Sequence, residues 1–488
     1  GCARAGAPCV DRDHAGAQFR RDGGGLGGVA RDHRRQAIFG VVGDIDRLVG
    51  VITIDDAMNV LDEEHEEDML RLAGVGDDSS PADGSIATAR SRFAVTPAKL
   101  GLVYSPEDTR RLAAEFALTA VERDERGGTP KAERDALRDS GLLALSIPTQ
   151  YGGLGASWSE TLTIMREFAK VDSSIAHVFG FHHLMLATVR LFSRPEQWQP
   201  WFEQTARKNW FWGNALNPLD TRTVVKDLGG WREFSGKKSF CSGASDSQML
   251  IASAVDENAG GKLVIAAIPS GRSGITLHND WNNMGQRQTD SGSATFERVR
   301  VEESDLLLDP GPLSTPFACL RPLIAQLHFA NIFLGIAEGA FEEARQYALK
   351  ETRPWFKSSA HSSHEDPYVL GHFGDVWVRL QGARLLLDHA AQALDQAWAK
   401  GAALSAEQRG QVAVAIATAK VAASRDGLEL CSKVFEVTGA RATQASVGLD
   451  RHWRNLRTQS LHDPLDYKLH ELGDWALNQR LPIPTFYS

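Results

Sequence analysis

After Pro316 apolar residues return every three or four positions, over stretches far longer than a strand, which commits that part to packed helices. In LIAQLHFANIFLGIAEGAFEEARQYALK the stripe passes through Leu323, Leu327, Ala330, Leu334, Ala337, Phe341 and Ala344. FGDVWVRLQGARLLLDHAAQALDQAW repeats it through Phe373, Val376, Trp377, Leu380, Ala383, Leu387 and Leu394. AEQRGQVAVAIATAKVAASRDGLELCSKVFEVTG predicts a third helix, and the segment after Pro464 a fourth. Four one-sided stripes cover one another as a bundle. The period changes over 209–308, where REFSGKKSFCSGAS, KLVIAAIPS and SATFERVRVEE are short β-rich runs bounded by Gly, Asp and Asn. Upstream, SPEDTRRLAAEFALTAVERDE opens on a helix-start signal, and helical spacing returns over 158–192. The expected architecture is α+β: an N-terminal helical domain (104–208), a central antiparallel β-domain (209–310) and a C-terminal four-helix bundle (311–488).

The first hundred residues read differently. Residues 1–36 are rich in Gly and Arg without helical or strand period, and are expected to be disordered. Gly23 to Gly28 spell G-x-G-x-x-G, but a dinucleotide loop needs a hydrophobic strand before it, and AGAQFRRD does not read as one. Over 37–78, RLVGVITIDDAMNVLDEEHEEDMLRLAGV predicts a strand and an Asp-capped amphipathic helix, and resembles part of a CBS domain of a magnesium transporter. Its acidic run reads as a solvated face. Residues 79–103 read as a linker.

A net charge of −9 without a basic block excludes a nucleic-acid surface. Five scattered cysteines predict reduced thiols and a cytoplasmic location. The most apolar early run is broken by Asp44, Asp46 and Arg47, so no membrane span is expected there.

SLHDPLDYK, residues 460–468, poses the chemical question. Asp463 and Pro464 suit the N-cap and first position of a helix. His462 and Asp463 together equally suit acid–base work. Three stretches carry a resemblance over residues 104–488: FSGKKSFCSGASDSQML, MGQRQTDSGSATFERVRV and RNLRTQSLHDP. They resemble the acyl-CoA dehydrogenase superfamily. That family's glutamate base is replaced by Asp463, one methylene shorter. VFEVTGARAT, with Arg441, stands where the family carries a glycine-rich FAD stretch; an arginine can fork a terminal phosphate, which favours FMN over FAD. NWFWGNA, RPLIAQLHFAN, VFEVTGAR and PIPTFYS are similar to the flavin-dependent monooxygenase branch, in particular the dibenzothiophene monooxygenases.

That resemblance implies a homotetramer using reduced FMN from a separate NADH:flavin reductase. A flavin C4a-hydroperoxide would pass oxygen to a small apolar sulfur or amine substrate, sulfide to sulfoxide to sulfone. It implies His462 as the proton-handling residue, oriented by Asp463. Asn214 and Ser242 would line the flavin, and His177 would lie near its ring. Trp281 would wall the substrate pocket. Arg353 and Arg441 would take the phosphate, Arg353 reaching a neighbouring subunit. Phe181 and Leu216 stand where the branch carries hydroxyls, which shifts the pocket away from dibenzothiophene itself. HSSHEDP (361–367) reads as a mobile polar loop and not as a metal site. Three competing readings remain: an acyl-CoA dehydrogenase with Asp463 as base, an N-hydroxylating monooxygenase, and a non-catalytic regulator sensing through its CBS-like segment.

Overall fold

A computed structural model describes residues 106–488 and, nearer the N-terminus, four strands. In the unit Gly1–Arg92, β1 (Gln18–Arg21) pairs antiparallel with β2 (Gly25–Gly28), and β3 (Ile38–Val42) with β4 (Leu48–Thr53). The first pair lies within residues 1–36, where the sequence shows no strand period; a ladder is built from backbone groups, which glycine supplies as other residues do. Strand β4 lies within the predicted RLVGVITI run, whereas the helix expected after it lies outside the described residues.

The unit Phe93–Ser488 begins with six helices. They are α1 (Pro106–Ala117), α2 (Ala120–Arg126), α3 (Lys131–Asp139), α4 (Trp158–Val171), α5 (Ser173–Phe192) and α6 (Pro195–Lys208). Ser157 and Glu160 form a reciprocal capping box on α4. Asp172 caps α5 by accepting from Ser174 N at 2.9 Å and Ile175 N at 3.1 Å. Helix α5 is long and apolar enough to cross a membrane, as is one bundle helix, but 94% of its apolar window is buried inside the protein. Both are core helices.

A seven-stranded sheet follows: β5 (Trp212–Ala215), β6 (Val224–Asp227), β7 (Trp231–Lys238), β8 (Met249–Asp256), β9 (Lys262–Pro269), β10 (Ile275–Leu277) and β11 (Ala294–Glu302). Its order is β10-β11-β7-β6-β8-β5, with β9 on β8. Most ladders are antiparallel as expected, but β8 runs parallel to both β5 and β6. Strands of four residues carry no signal of direction, so period alone could not reveal this. Strand β8 is buried on both faces: Met249 and Ile251 join the helical core, while Leu250, Ala252 and Ala254 join the core of the sheet. It therefore welds sheet to helices.

The bundle holds α7 (Leu320–Lys350), α8 (Pro367–Lys400), α9 (Ala406–Thr438), α10 (Asp450–Ser460) and α11 (Leu465–Asn478). The fourth helix expected after Pro464 is α11, and α10 is an additional helix before it. Pro464 lacks an N–H and disfavours the α region for Asp463, so the helix breaks between Ser460 and Leu465. Helix α7 crosses α4 at close range, because a Cβ on Gly339 would lie 1.9 Å from the Lys170 carbonyl oxygen.

Candidate active site

The break between α10 and α11 presents His462 and Asp463. Asp463 does not cap α11, as its sequence position suggested; Pro464 holds the N-cap position without a side-chain bond. The Asp463 carboxylate is occupied elsewhere. Its Oδ1 accepts from Lys420 Nζ at 2.6 Å, His462 Nδ1 at 2.9 Å and Gln326 Nε2 at 3.4 Å. Burial alone would raise its pKa, but the His462 hydrogen bond and the Lys420 charge hold it well below the usual carboxylate range. A carboxylate only accepts, so the His462 proton sits on Nδ1 and Nε2 carries a free lone pair. The His462 side chain keeps 38% of its surface open, yet surrounding protein desolvates it enough to lower its pKa. The two facts agree if the ring lines an internal recess and not the outer surface.

Across the Phe329 ring stands His177. Phe329 lies 4.2 Å from the His462 ring and 6.1 Å from the His177 ring, and Phe181 stacks on His177 at 4.2 Å. His177 is buried, and desolvation lowers its pKa to about 3, so it is neutral. Gln459 Nε2 donates to His177 Nδ1 at 2.7 Å, which puts the proton on Nε2. That Nε2–H has no partner, a buried donor directed at something yet to arrive.

The orientation of Gln459 is set by Gln286, whose Nε2 donates to Gln459 Oε1 at 2.6 Å. Gln286 is the hub of the site. Its N–H donates to Asn455 Oδ1 at 2.6 Å, and its carbonyl accepts from Trp281 Nε1 at 2.7 Å and Thr289 Oγ1 at 3.1 Å. From Thr289 hydroxyl contacts run through Ser291 at 2.7 Å to Ser242 at 2.8 Å. This loop reaches α10 because Gly285 lacks a Cβ, which would sit 2.2 Å from the Arg454 carbonyl oxygen. Gln286 and Asp290 both take positive φ, 54° and 48°, which concentrates strain in the loop. Buried Arg134 braces it by pairing with Asp290 at 2.7 Å and donating to the Gly243 carbonyl at 3.0 Å. Asn214 on β5 bonds the Ser242 carbonyl through its N–H at 2.9 Å, and its amide reaches the Phe240 carbonyl at 3.4 Å.

The C-terminal tail packs on the other side of His462. Arg409 donates to the Cys319, Pro482 and Ser488 carbonyls, pinning the tail to the start of α7. Tyr487 is thereby held with its ring 5.6 Å from that of His462.

This geometry lies where the chain matches known proteins. Residues 107–209 match the acyl-CoA dehydrogenase N-terminal domain, and residues 327–467 match the acyl-CoA dehydrogenase C-terminal domain. The chain is 78% identical over 379 residues to a probable FMNH2-dependent monooxygenase, SfnC, of Pseudomonas putida, covering 78% of this chain and 96% of that one. The chain belongs to the acyl-CoA dehydrogenase family. Among solved structures it is similar to methanesulfinate monooxygenase MsuC from Pseudomonas fluorescens, with 84% identity, a TM-score of 0.79, and coverage of 79% of this chain and 100% of that one. It is also similar to FMN-bound TdsC from Paenibacillus sp. A11-2, a dibenzothiophene monooxygenase, with 42% identity, a TM-score of 0.75, and coverage of 78% and 99%.

In this member of the acyl-CoA dehydrogenase family, His177, Asn214, Ser242 and Trp281 are joined through the 286–291 loop and its neighbours, and Phe329 links them to His462 and Asp463. Phe181 stacks in the aromatic wall, and Leu216 is buried beside Asn214. Trp281 stands apart from the His462 recess. It packs edge-on to Phe240 and lines a small separate hollow of about 20 Å³ with Thr129, Ser245 and His278. Arg353 and Arg441 are exposed and share no contact with the recess. HSSHEDP contains a 3-10 turn at Ser363–Glu365, and Asp366 caps α8. Sequence reasoning missed Arg321, Lys420, Gln459 and Gln286. Lys420 and Arg321 did carry a signal, each being a cation inside a helix otherwise apolar on that face.

Proposed function

We propose that this protein is an FMNH2-dependent monooxygenase that transfers oxygen to the sulfur of an organosulfur compound. One observation carries the reading: His462 presents a free Nε2 beside the Phe329 ring while Asp463 Oδ1 accepts from Lys420, His462 and Gln326. A carboxylate held well below its usual range by those partners is a weak proton-abstracting base, which counts against the dehydrogenase alternative. The names of the similar proteins support the same reading.

The residues present fit a flavin, on the evidence of the orphaned His177 Nε2–H and the polar Ser242 and Asn214 that Gln459, Gln286, Thr289 and Ser291 link to it. Bound reduced FMN, with O2, supplies the oxygen atom that is transferred. His177 donates from Nε2. Asn214 and Ser242 would hold the flavin, and Arg353, from a neighbouring subunit, and Arg441 would take its phosphate. Phe181, Phe329 and Tyr487 exclude water, which would otherwise divert the oxygen. His462 would take up and return a proton at its free Nε2, and Asp463 keeps Nδ1–H in place. The reduced flavin comes from a separate reductase.

Between the substrates named for the two solved relatives, 84% identity against 42% favours a methanesulfinate-like molecule over dibenzothiophene. The exposed Leu370, Trp377 and Leu385, on one face of α8, support a homotetramer. Buried free Cys241, Cys319 and Cys431 agree with a cytoplasmic setting. The test is oxygenation of an organosulfur substrate by the protein supplied with reduced FMN. His462→Ala is expected to lower kcat/KM by roughly a hundredfold or more while FMN affinity, read by fluorescence quenching, stays unchanged. Reduction of a bound FAD by an acyl-CoA, with no oxygenated sulfur product, overturns the proposal.

A further inference from the structure

Arg321 is the second residue of α7, and only 6% of its surface is exposed. Its Nε donates to Thr188 Oγ1 at 3.3 Å, and there its protein partners end. Among the described residues no carboxylate lies within ion-pair distance of it, and neither terminal nitrogen has a hydrogen-bond partner. The other buried arginines differ. Arg123 pairs with Asp172 and Glu133, Arg134 with Asp290 and Asp246, Arg166 with Asp388, and Arg451 with Glu343. Arg409 is satisfied by three backbone carbonyls. The terminal nitrogens of Arg321 are not sealed in protein either, and keep a little accessible surface.

Its setting makes that charge more costly. Arg321 occupies the first turn of a 31-residue helix, where the helix dipole is positive and a cation is disfavoured. Burial lowers its pKa only to about 10, so it remains charged at neutral pH. A guanidinium buried without an anion, at the positive end of a helix, is an arrangement that folding alone would eliminate. Guanidinium and helix terminus together form a field suited to an anion. The direction of the charge is also given. Arg321 lies two residues from Cys319, whose carbonyl Arg409 ties to that of Ser488 beside Tyr487, and the Tyr487 ring lies 5.6 Å from that of His462. It therefore belongs to the recess that His462 and Tyr487 line.

We propose that Arg321 is the substrate-recognition residue of this site and that its ligand is the oxyanion of a small sulfinate, R–SO2⁻. This rests on the sulfur-oxygenation reading above and assigns its specificity. The two terminal nitrogens fork the two sulfinate oxygens, as the fixed guanidinium geometry allows. The sulfur lone pair is left to face the transferred oxygen, with His462 alongside. The reaction balances as R–SO2⁻ + FMNH2 + O2 → R–SO3⁻ + FMN + H2O. One S–O bond forms, the O–O bond breaks, sulfur gives up two electrons, and the second oxygen leaves as water with the two hydrogens of FMNH2. A neutral aromatic sulfide leaves Arg321 without its anion, and sites built around a buried polar group reject ligands that lack the complement.

The experiment compares wild-type protein with Arg321→Met and Arg321→Lys, using methanesulfinate and methyl phenyl sulfide as substrates with reduced FMN and O2. Wild type should convert methanesulfinate to methanesulfonate. Arg321→Met should raise its KM by about a hundredfold, while Arg321→Lys keeps part of the affinity. Separately from turnover, methanesulfinate should raise the Tm of wild type and leave that of Arg321→Met unmoved. Arg321→Met without ligand should melt higher than wild type, because an unpaired buried charge has gone. An unchanged KM for methanesulfinate in an active Arg321→Met overturns the assignment. If that variant fails to fold, the wild-type thermal shift decides: no shift with millimolar methanesulfinate overturns it as well. Wild type that oxygenates methyl phenyl sulfide but not methanesulfinate overturns the substrate class and leaves sulfur oxygenation standing. Oxygenation of neither overturns the reading beneath.

Discussion

At the scale of the residue, the chemistry of His462 follows from which nitrogen holds its proton. Asp463 takes Nδ1–H and leaves Nε2 free, while desolvation holds the ring below its ordinary pKa. The neutral form therefore persists below the usual imidazole range, and kcat/KM should fall only in more acid solution. Asp463 opposes desolvation by favouring the imidazolium. Asp463→Asn removes that support, so the acid limb of kcat/KM should move to lower pH. A pH–rate profile of the variant checks the sign; a limb moved to higher pH would mean that His462 is not the titrating group. The same scale shows what was legible from sequence. His462 and Asp463 stood out because they are adjacent and precede a proline. Gln459 and Gln286 did not, since their significance lies in one hydrogen bond between residues 173 positions apart. Lys420 was hidden in the same way: its partner Asp463 lies on a different helix break, 43 positions on.

At the scale of the element, periodicity revealed what packing would need and nothing about direction or breaks. The long stripes of α7, α8 and α9 were plain because each helix must hide one face. The parallel pairing of β8 with β5 was not, because strand order is decided by chain connections and not by alternation. Apolar stripes likewise do not show how near two helices come. Helices α7 and α4 touch backbone to backbone at Gly339, with Gly335 one turn earlier meeting Ala169. Gly339→Ala places a methyl carbon against the Lys170 carbonyl and must push the helices apart. The gain in helix propensity, about 1 kcal/mol, is outweighed by overpacking of roughly 1–3 kcal/mol or more. The variant should lower the urea midpoint while leaving the m-value unchanged. A midpoint at or above that of wild type would show that the crossing is looser than its geometry indicates.

For the whole molecule, burial of imidazoles sets the response to acid. His177, His182 and His328 each have a pKa lowered to about 3 by desolvation, and His183 is shifted the same way. The ordinary value is 6.5. Unfolded chain thus binds protons that the folded protein refuses between those limits. Stability is fully present above the ordinary value and is lost as pH falls below it, by about 1.4 kcal/mol per pH unit for each group. Chemical denaturation at pH 7 and pH 5.5 should show a clear loss at the lower pH, and equal stability would contradict neutral burial. The outer surface makes a different demand. Leu370, Trp377 and Leu385 are 55%, 52% and 71% exposed, and their spacing of seven and eight residues keeps them on one face of α8. An apolar seam along a helix this long invites a second copy, because covering it removes large side chains from water. Trp377→Glu together with Leu385→Glu should therefore shift the proposed tetramer to smaller sedimenting species. Sulfur oxygenation would weaken with that shift only if Arg353 reaches across the interface to the flavin phosphate, since His462, Asp463, Arg321 and His177 are all supplied within one chain. Dissociation with undiminished FMN affinity would place the phosphate site wholly inside the protomer, and an unchanged sedimentation coefficient would remove α8 from the interface.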